Sequence, residues 1–175
     1  MKIAVKNLSK KFNNVFAVQD ITFDIPKNKT LGLLGPNGCG KTTSIGMMLG
    51  LIEPCEGTIL YDDKDINKTD KNYLLGQMNF ASPYIELPKK LTVKQNLEVY
   101  GRLYGVVNLN QRILEISSDL NLKSFLEKKT GELSSGQKNR VSLAKSLINK
   151  PKILFLDEPT ASLDPDIGDF VRNYI

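Results

Sequence analysis

Histidine is missing from this 175-residue chain altogether, so no imidazole is on hand for any role within it. Cysteine is scarce, and the two present, Cys39 and Cys55, make no disulfide framework. No stretch approaches the roughly 18–20 consecutive apolar residues of a membrane span, and the start, Met1-Lys2-Ile3-Ala4-Val5, has no secretory hydrophobic region. These absences lead us to expect a cytoplasmic protein. Neither sign of charge dominates: 24 basic residues against 19 acidic ones leave a net +5. The lysines are spread out (Lys10, Lys11, Lys71, Lys89, Lys90, Lys128, Lys129) and are not interleaved with arginine and aromatic residues, which argues for a solvated surface and against a nucleic-acid partner. Internal repeats and low-complexity segments are also lacking. What is present suits one globular domain with a real core, at 41% hydrophobic and 25% charged residues.

One stretch organises the rest. Gly35-Pro36-Asn37-Gly38-Cys39-Gly40-Lys41-Thr42-Thr43 has the form G-x-x-x-x-G-K-[ST]. An apolar run, Leu31-Gly32-Leu33-Leu34, precedes it, and a helix-like pattern from Ser44 to Leu49 follows, so strand, loop and helix are expected in that order. Glycines let the backbone curl so that successive N–H groups point at a polyphosphate, and the helix start adds its positive dipole end. Lys41 is expected to reach the β- and γ-phosphates, with the Thr42 hydroxyl on Mg²⁺. The competing reading, a glycine-rich turn before a buried helix, is weakened by that context. This is a nucleotide-phosphate site.

In chain order, residues 2–7 and 15–25 read as strands. Phe12 falls in the polar stretch Ser9–Asn14, read as a turn; it can stack on an adenine or plug the space between strands, and spacing does not decide between them. Pro26–Lys29 is expected to turn, the helix from Lys41 to stop at Gly50, and 57–61 to form a strand before the polar turn Asp62–Asp65. Gln77–Phe80 reads as a further strand. Thr92 and Gln95 form a capping box ahead of Val93, Leu97, Tyr100 and Tyr104 on one helical face. Residues 110–120 read as another helix. Ser134 and Gln137 open one more, with Val141, Ala144, Leu147 and Ile148 inward, which must end before Pro151. Ile153-Leu154-Phe155-Leu156 suits a strand buried on both faces of a parallel sheet. Pro159–Asp164 is expected as a loop and Asp166–Ile175 as a helix. The prolyl-bounded segment Pro83-Tyr84-Ile85-Glu86-Leu87-Pro88 carries apolar groups on an expected loop tip, which suggests a partner surface.

The apolar strand ends in Asp157-Glu158, and α/β folds bind their ligands at the carboxyl ends of such strands. Asp157 is expected to hold Mg²⁺ through water. Glu158 follows as the candidate general base for a water in line with the γ-phosphate. Alone, Asp-Glu-Pro reads as a strand end; behind a phosphate loop it reads as its acidic partner.

Taken together, these residues resemble the ATP-binding subunits of ABC transporters, over the whole chain. Leu133-Ser134-Ser135-Gly136-Gln137 matches the signature L-S-G-G-Q, some twenty residues before the Asp157 strand, and Pro159, Thr160, Ser162, Leu163 and Asp164 continue the pattern. The resemblance implies an α/β P-loop NTPase core of ABC type, mainly parallel, with an amino-terminal antiparallel β subdomain and a helical subdomain at about 82–150. It implies ATP and Mg²⁺ as cofactors, with Phe12 stacked on adenine. Ser134, Ser135, Gly136 and Gln137 would close over the γ-phosphate on a second ATP-binding subunit, in a homo- or heterodimer, with Asp164 at the dimer interface. A membrane-spanning permease would hold the assembly peripherally on the inner face of the membrane.

Three departures stand out. Ser135 replaces the first signature glycine, which is tolerable where φ is negative or the side chain turns outward. Ala81-Ser82 stands where the family puts a sensor glutamine, with Gln77 too early, so Ser82 is the candidate substitute. The family's switch histidine is absent from these residues. From this we expect a truncated domain that binds ATP and hydrolyses it poorly. The expected function is an ATPase driving transport; the alternatives are a soluble ABC-type ATPase acting on ribosomes or DNA, and a degenerate nucleotide-binding module.

Overall fold

Alternating apolar residues at the amino terminus build the first sheet of the computed structural model, which describes residues 1–82 and 86–157. Strand β1 (Ile3–Phe12) buries Ile3, Val5 and Leu8, and pairs antiparallel with β2 (Val15–Ile25) on one side and β3 (Glu56–Tyr61) on the other. The hairpin closes through Asn13 and Asn14, both left-handed at φ 46° and 65°, as a two-residue turn between right-twisted strands requires. Because that turn uses only two residues, β1 runs through Phe12 and does not break at Ser9 as the sequence suggested. A short β4 (Lys64–Asp65) completes the order β2-β1-β3-β4.

Helix α1 (Lys41–Met48) belongs to the same compact unit, Met1–Leu75. It ends as expected, with Leu49 as its cap and Gly50 next at φ 67°. Ile45, Met47 and Met48 are buried, and the buried Tyr61 hydroxyl donates to the Met48 carbonyl at the helix end. Burial raises the Tyr61 pKa, so this donor stays protonated at any physiological pH. A short α2 (Lys71–Leu75) closes the unit. The strand expected before the phosphate loop is not formed: residues 29–36 carry no regular structure, and Leu34 is 95% exposed. A strand apolar on both faces persists only between neighbours that take its hydrogen bonds, and among the described residues none pairs with Leu31–Leu34.

The second unit begins at Gly76. Here β5 (Met78–Ala81) and β6 (Ile153–Leu156) pair in parallel, from Met78 with Ile153 to Ala81 with Leu156. Around them pack α3 (Val93–Leu103), α4 (Leu109–Asp119) and α5 (Ser135–Leu147). Val93, Leu97, Ile113, Ile116, Val141, Ala144, Leu147 and Ile148 form one core, with Tyr100, Tyr104, Leu154 and Leu156 packed against it. The helical faces read from the sequence are therefore the buried ones. Both capping boxes form: Thr92 Oγ1 accepts from the Gln95 N–H at 3.1 Å, and Ser134 Oγ from the Gln137 N–H at 3.2 Å, each with the glutamine side chain accepting in return. Among the described residues no helix is long and apolar enough to cross a membrane.

Candidate functional site

The phosphate loop is shaped by backbone conformation and by one close approach. Gly40 caps α1 at φ 93°, a conformation that costs little only without a side chain. A Cβ there would also lie 2.2 Å from the Ala17 carbonyl oxygen and 2.9 Å from Val18 Cγ2. Ala17 reaches this position because Lys10 pairs with Val18 and Lys11 with Phe16, which makes Ala17 the extra residue of a bulge in β2. The sequence reading missed this contact, and no local signal marks it, since Gly40 lies far along the chain from the bulge.

Lys41 is turned back into the loop. Its Nζ donates to the carbonyls of Gly35 at 2.8 Å and Pro36 at 2.9 Å, and lies 3.9 Å from Cys39 Sγ. Residues 35–39 are exposed, as is Thr42, while Thr43 is half-buried. The first turn of α1 carries no acidic residue and no side-chain cap, so neither screens the N-terminal amides and the positive dipole end. An ammonium held on the loop and an exposed helix start beside it are donors of the kind an anionic polyphosphate needs.

Phe12, the last residue of β1, is 49% exposed, with Lys10 Nζ 5.3 Å from its ring centre. Phe12 and Lys10 share a hairpin face with their partners Val15 and Val18, and Val18 is the residue that lies against Gly40. The aromatic is thus an exposed ring on the strand pair that braces the loop.

In the second unit, Ser82 and Asp157 follow the paired ends of β5 and β6, and the Asp157 N–H donates to the Ala81 carbonyl at 2.9 Å. Both residues are buried, at 5% and 6% exposure. Parallel pairing therefore brings the Ser82 position beside the Asp157 position at the carboxyl ends of adjacent strands. Gln77, expected as the first residue of this strand, falls just before β5 at the end opposite Ser82, where its carbonyl accepts from the Lys152 N–H. Ser134 is the N-cap of α5, and Ser135 is its first residue, exposed and of negative φ, so the departure from glycine strains nothing. Gly136 and Gln137 continue the first turn of α5, which contains no acidic residue. Leu87 is packed onto the helical core, and Glu86 pairs with Lys89 at 2.8 Å, so that side of the expected partner loop folds back on its own unit. Glu158, Asp164, Tyr84 and Ile85, with the expected loop at 159–164 and helix at 166–175, lie outside the described residues.

Comparison with known proteins bears on this geometry. Residues 18–161 match the family model for ABC transporters. The chain is 38% identical over 165 residues to the probable multidrug ABC transporter ATP-binding protein YbhF of Escherichia coli, covering 93% of this chain and 28% of that protein. It is 32% identical over 179 residues to the ABC transporter ATP-binding protein NatA of Bacillus subtilis, covering 99% and 73%. Among solved structures it is similar to an ATP-binding protein of a putative ABC transporter from Pyrococcus furiosus, at TM-score 0.84 and 29% identity over 99% of this chain and 83% of that one. It is also similar, at TM-score 0.86 and 26% identity over 98% and 80%, to an ATP-binding cassette seen as a dimer in a post-hydrolysis state with ADP and Pi. The chain spans little more than a quarter of the length of YbhF.

Proposed function

The chain belongs to the ABC transporter family, and from that premise we propose that it binds Mg·ATP on Gly35–Thr43 and works as the ATP-hydrolysing subunit of a membrane transporter. The observation that carries this reading is the loop itself. Gly40 is pinned against the β2 bulge, and Lys41 holds its ammonium over the loop while the helix start stays clear of acidic side chains. The Lys41 ammonium exchanges its carbonyl partners for the terminal phosphate oxygens, a stronger, charge-assisted contact. Phe12 offers its exposed ring to the adenine.

The donors suit magnesium. Thr42 brings a hydroxyl and Asp157 a carboxylate, the hard oxygens that Mg²⁺ combines with phosphate and water. Among the described residues no group of three or more His, Cys, Asp or Glu makes a protein-only cage. Mg²⁺, when bound, neutralises charge on the transferring phosphoryl group. Glu158 accepts a proton from the attacking water, and Ser82, in place of a sensor glutamine, orients that water by hydrogen bonding.

Ser134–Gln137 receive the γ-phosphate held by a second ATP-binding subunit, identical or related, and Asp164 lies at their interface. The exposed start of α5 supports this role, since a helix N-terminus attracts an anion. Coupling to transport runs through a membrane-spanning permease, with the helical part of residues 82–150 as the contacting region and the assembly on the inner face of the membrane. The test is turnover by the protein with its permease: Glu158→Gln should lower ATP hydrolysis by about 10²–10⁴-fold while leaving ATP affinity intact. Undiminished turnover overturns the assignment.

A further inference from the structure

Asn96 is fully buried, and the phosphate chemistry makes no use of it. Its Nδ2 faces oxygens only: the carbonyls of Thr92 at 3.1 Å, Pro88 at 3.3 Å and Leu91 at 3.5 Å, and Thr130 Oγ1 at 3.4 Å. Turned over, the amide would set an acceptor against three carbonyls, so chemistry fixes its orientation. Its Oδ1 is then left buried without a hydrogen-bond partner. Thr130, also buried, donates through Oγ1 to the Pro88 carbonyl at 2.6 Å.

The backbone around this pair is laced together. Val93 N–H donates to Lys128 at 3.0 Å, Lys94 to Leu126 at 2.9 Å, Thr130 to Leu91 at 3.0 Å and Gly131 to Lys89 at 3.0 Å. A Cβ on Gly131 would lie 3.1 Å from the Lys89 carbonyl oxygen, so the two segments touch backbone to backbone. Immediately beyond, Leu133 enters the helical core and Ser134 caps α5. Segment 88–92 is thereby clasped to the turn that leads into the signature residues.

No carbonyl in the clasp depends on Asn96. Pro88 also receives Thr130 Oγ1, Leu91 also receives the Thr130 N–H, and Thr92 also receives the Asn96 backbone N–H. A leucine of similar size would leave none of them without a partner and would remove the orphaned Oδ1, which is itself destabilising. What the amide adds is a tether from α3 to the turn before α5. On the premise of the ATP-sandwich assembly above, we propose that Asn96 and Thr130 are positioning residues that hold the signature turn in the orientation that receives the γ-phosphate on the second subunit.

The test uses the protein carrying Glu158→Gln to slow turnover, with Mg·ATP-driven dimerisation followed by sedimentation velocity. Asn96→Leu and Thr130→Val should each raise the ATP concentration for half-maximal dimerisation by about tenfold, the equivalent of one buried hydrogen bond. Melting temperature and the ATP affinity of the single subunit should stay at parental values, and Thr130→Ser, which keeps the hydroxyl, should dimerise as the parent does. Variants that dimerise like the parent overturn the positioning role. So do variants whose melting temperature or ATP affinity falls in step with dimerisation, because the clasp is then only a stability element. A parent that forms no dimer with ATP overturns the sandwich assembly, and the positioning role with it.

Discussion

The two ends of the proposed ATP sandwich are built by opposite means. The phosphate loop on Met1–Leu75 is exposed along residues 35–39 and takes its shape from backbone conformation, one steric approach and a lysine on two carbonyls. The signature turn on the second unit is anchored: Leu133 is buried, a capping box closes the helix start, and Val141 and Ala144 sink α5 into a continuous apolar core. A loop proposed to hold nucleotide must admit a ligand, and residues 35–39 accordingly have little apolar burial to lose. On the proposed reading, a turn that meets a second subunit's phosphate must present a fixed helix end, and the packing behind Ser134 supplies that rigidity.

Core and loop should accordingly separate under mutation. Leu97→Ala removes a fully buried side chain from the helical core, and thermal or denaturant unfolding should show a loss of about 2–5 kcal/mol, with ATP affinity unchanged. A parallel loss of affinity would mean that the loop depends on that core. Gly40→Ala forces a side chain into a φ of 93° and into the Ala17 carbonyl. Here the expected order is reversed: about 1–3 kcal/mol of strain, with ATP affinity falling by about tenfold or more in a nucleotide titration. Retained affinity would show that the bulge contact does not shape the loop.

Much of the second unit was legible because its determinants are local. Thr92-x-x-Gln95 and Ser134-x-x-Gln137 announce helix starts within four residues, and the spacing of Val141, Ala144 and Ile148 marks a buried face. The phosphate loop was legible as a motif but not as a shape. Nothing near Gly40 reveals that Ala17 bulges against it, and the apolar run Leu31–Leu34 implied a strand whose neighbours it does not find among the described residues. Phe12 was misplaced because the polar end of β1, Ser9-Lys10-Lys11, hides the alternation that marks a strand even though Ser9 is buried, while Asn13-Asn14 alone supplies the turn. Parallel pairing, which sets Ser82 beside Asp157, and the Asn96–Thr130 clasp depend on residues distant in sequence.

Smaller effects sharpen the contrast within the helical unit. Thr92→Ala loses an N-cap bond and should cost about 1 kcal/mol in melting experiments. Because the clasp uses the Thr92 carbonyl and the cap its side-chain hydroxyl, ATP-driven dimerisation should persist at the parental ATP concentration once the protein is folded. A matching shift in dimerisation would mean that the α3 cap, and not only the Asn96–Thr130 clasp, positions the signature turn.

The smallest effect expected is that of Lys145 on α5, whose Nζ donates to the Phe80 carbonyl at 3.2 Å. Burial lowers its pKa from the usual 10.5. The folded protein therefore releases this proton at lower pH than the unfolded chain does. Stability should rise with pH through the window just below 10.5, where the unfolded chain binds more protons, and Lys145's share of it should be lost again as pH falls through the depressed folded value. Lys145→Met should flatten that share in a comparison of pH-dependent melting curves, and identical slopes would contradict it.

Lys41 is the most direct probe of the proposed nucleotide site. Isothermal titration of Mg·ATP into the protein and its Lys41→Ala variant isolates the charge-assisted contact to the terminal phosphates. The expected result is an affinity lower by about tenfold or more in the variant, given about 1.5–3 kcal/mol for a hydrogen bond to a charged group, with melting temperature unchanged. Equal ATP affinities in the two proteins would contradict a nucleotide site at Gly35–Thr43.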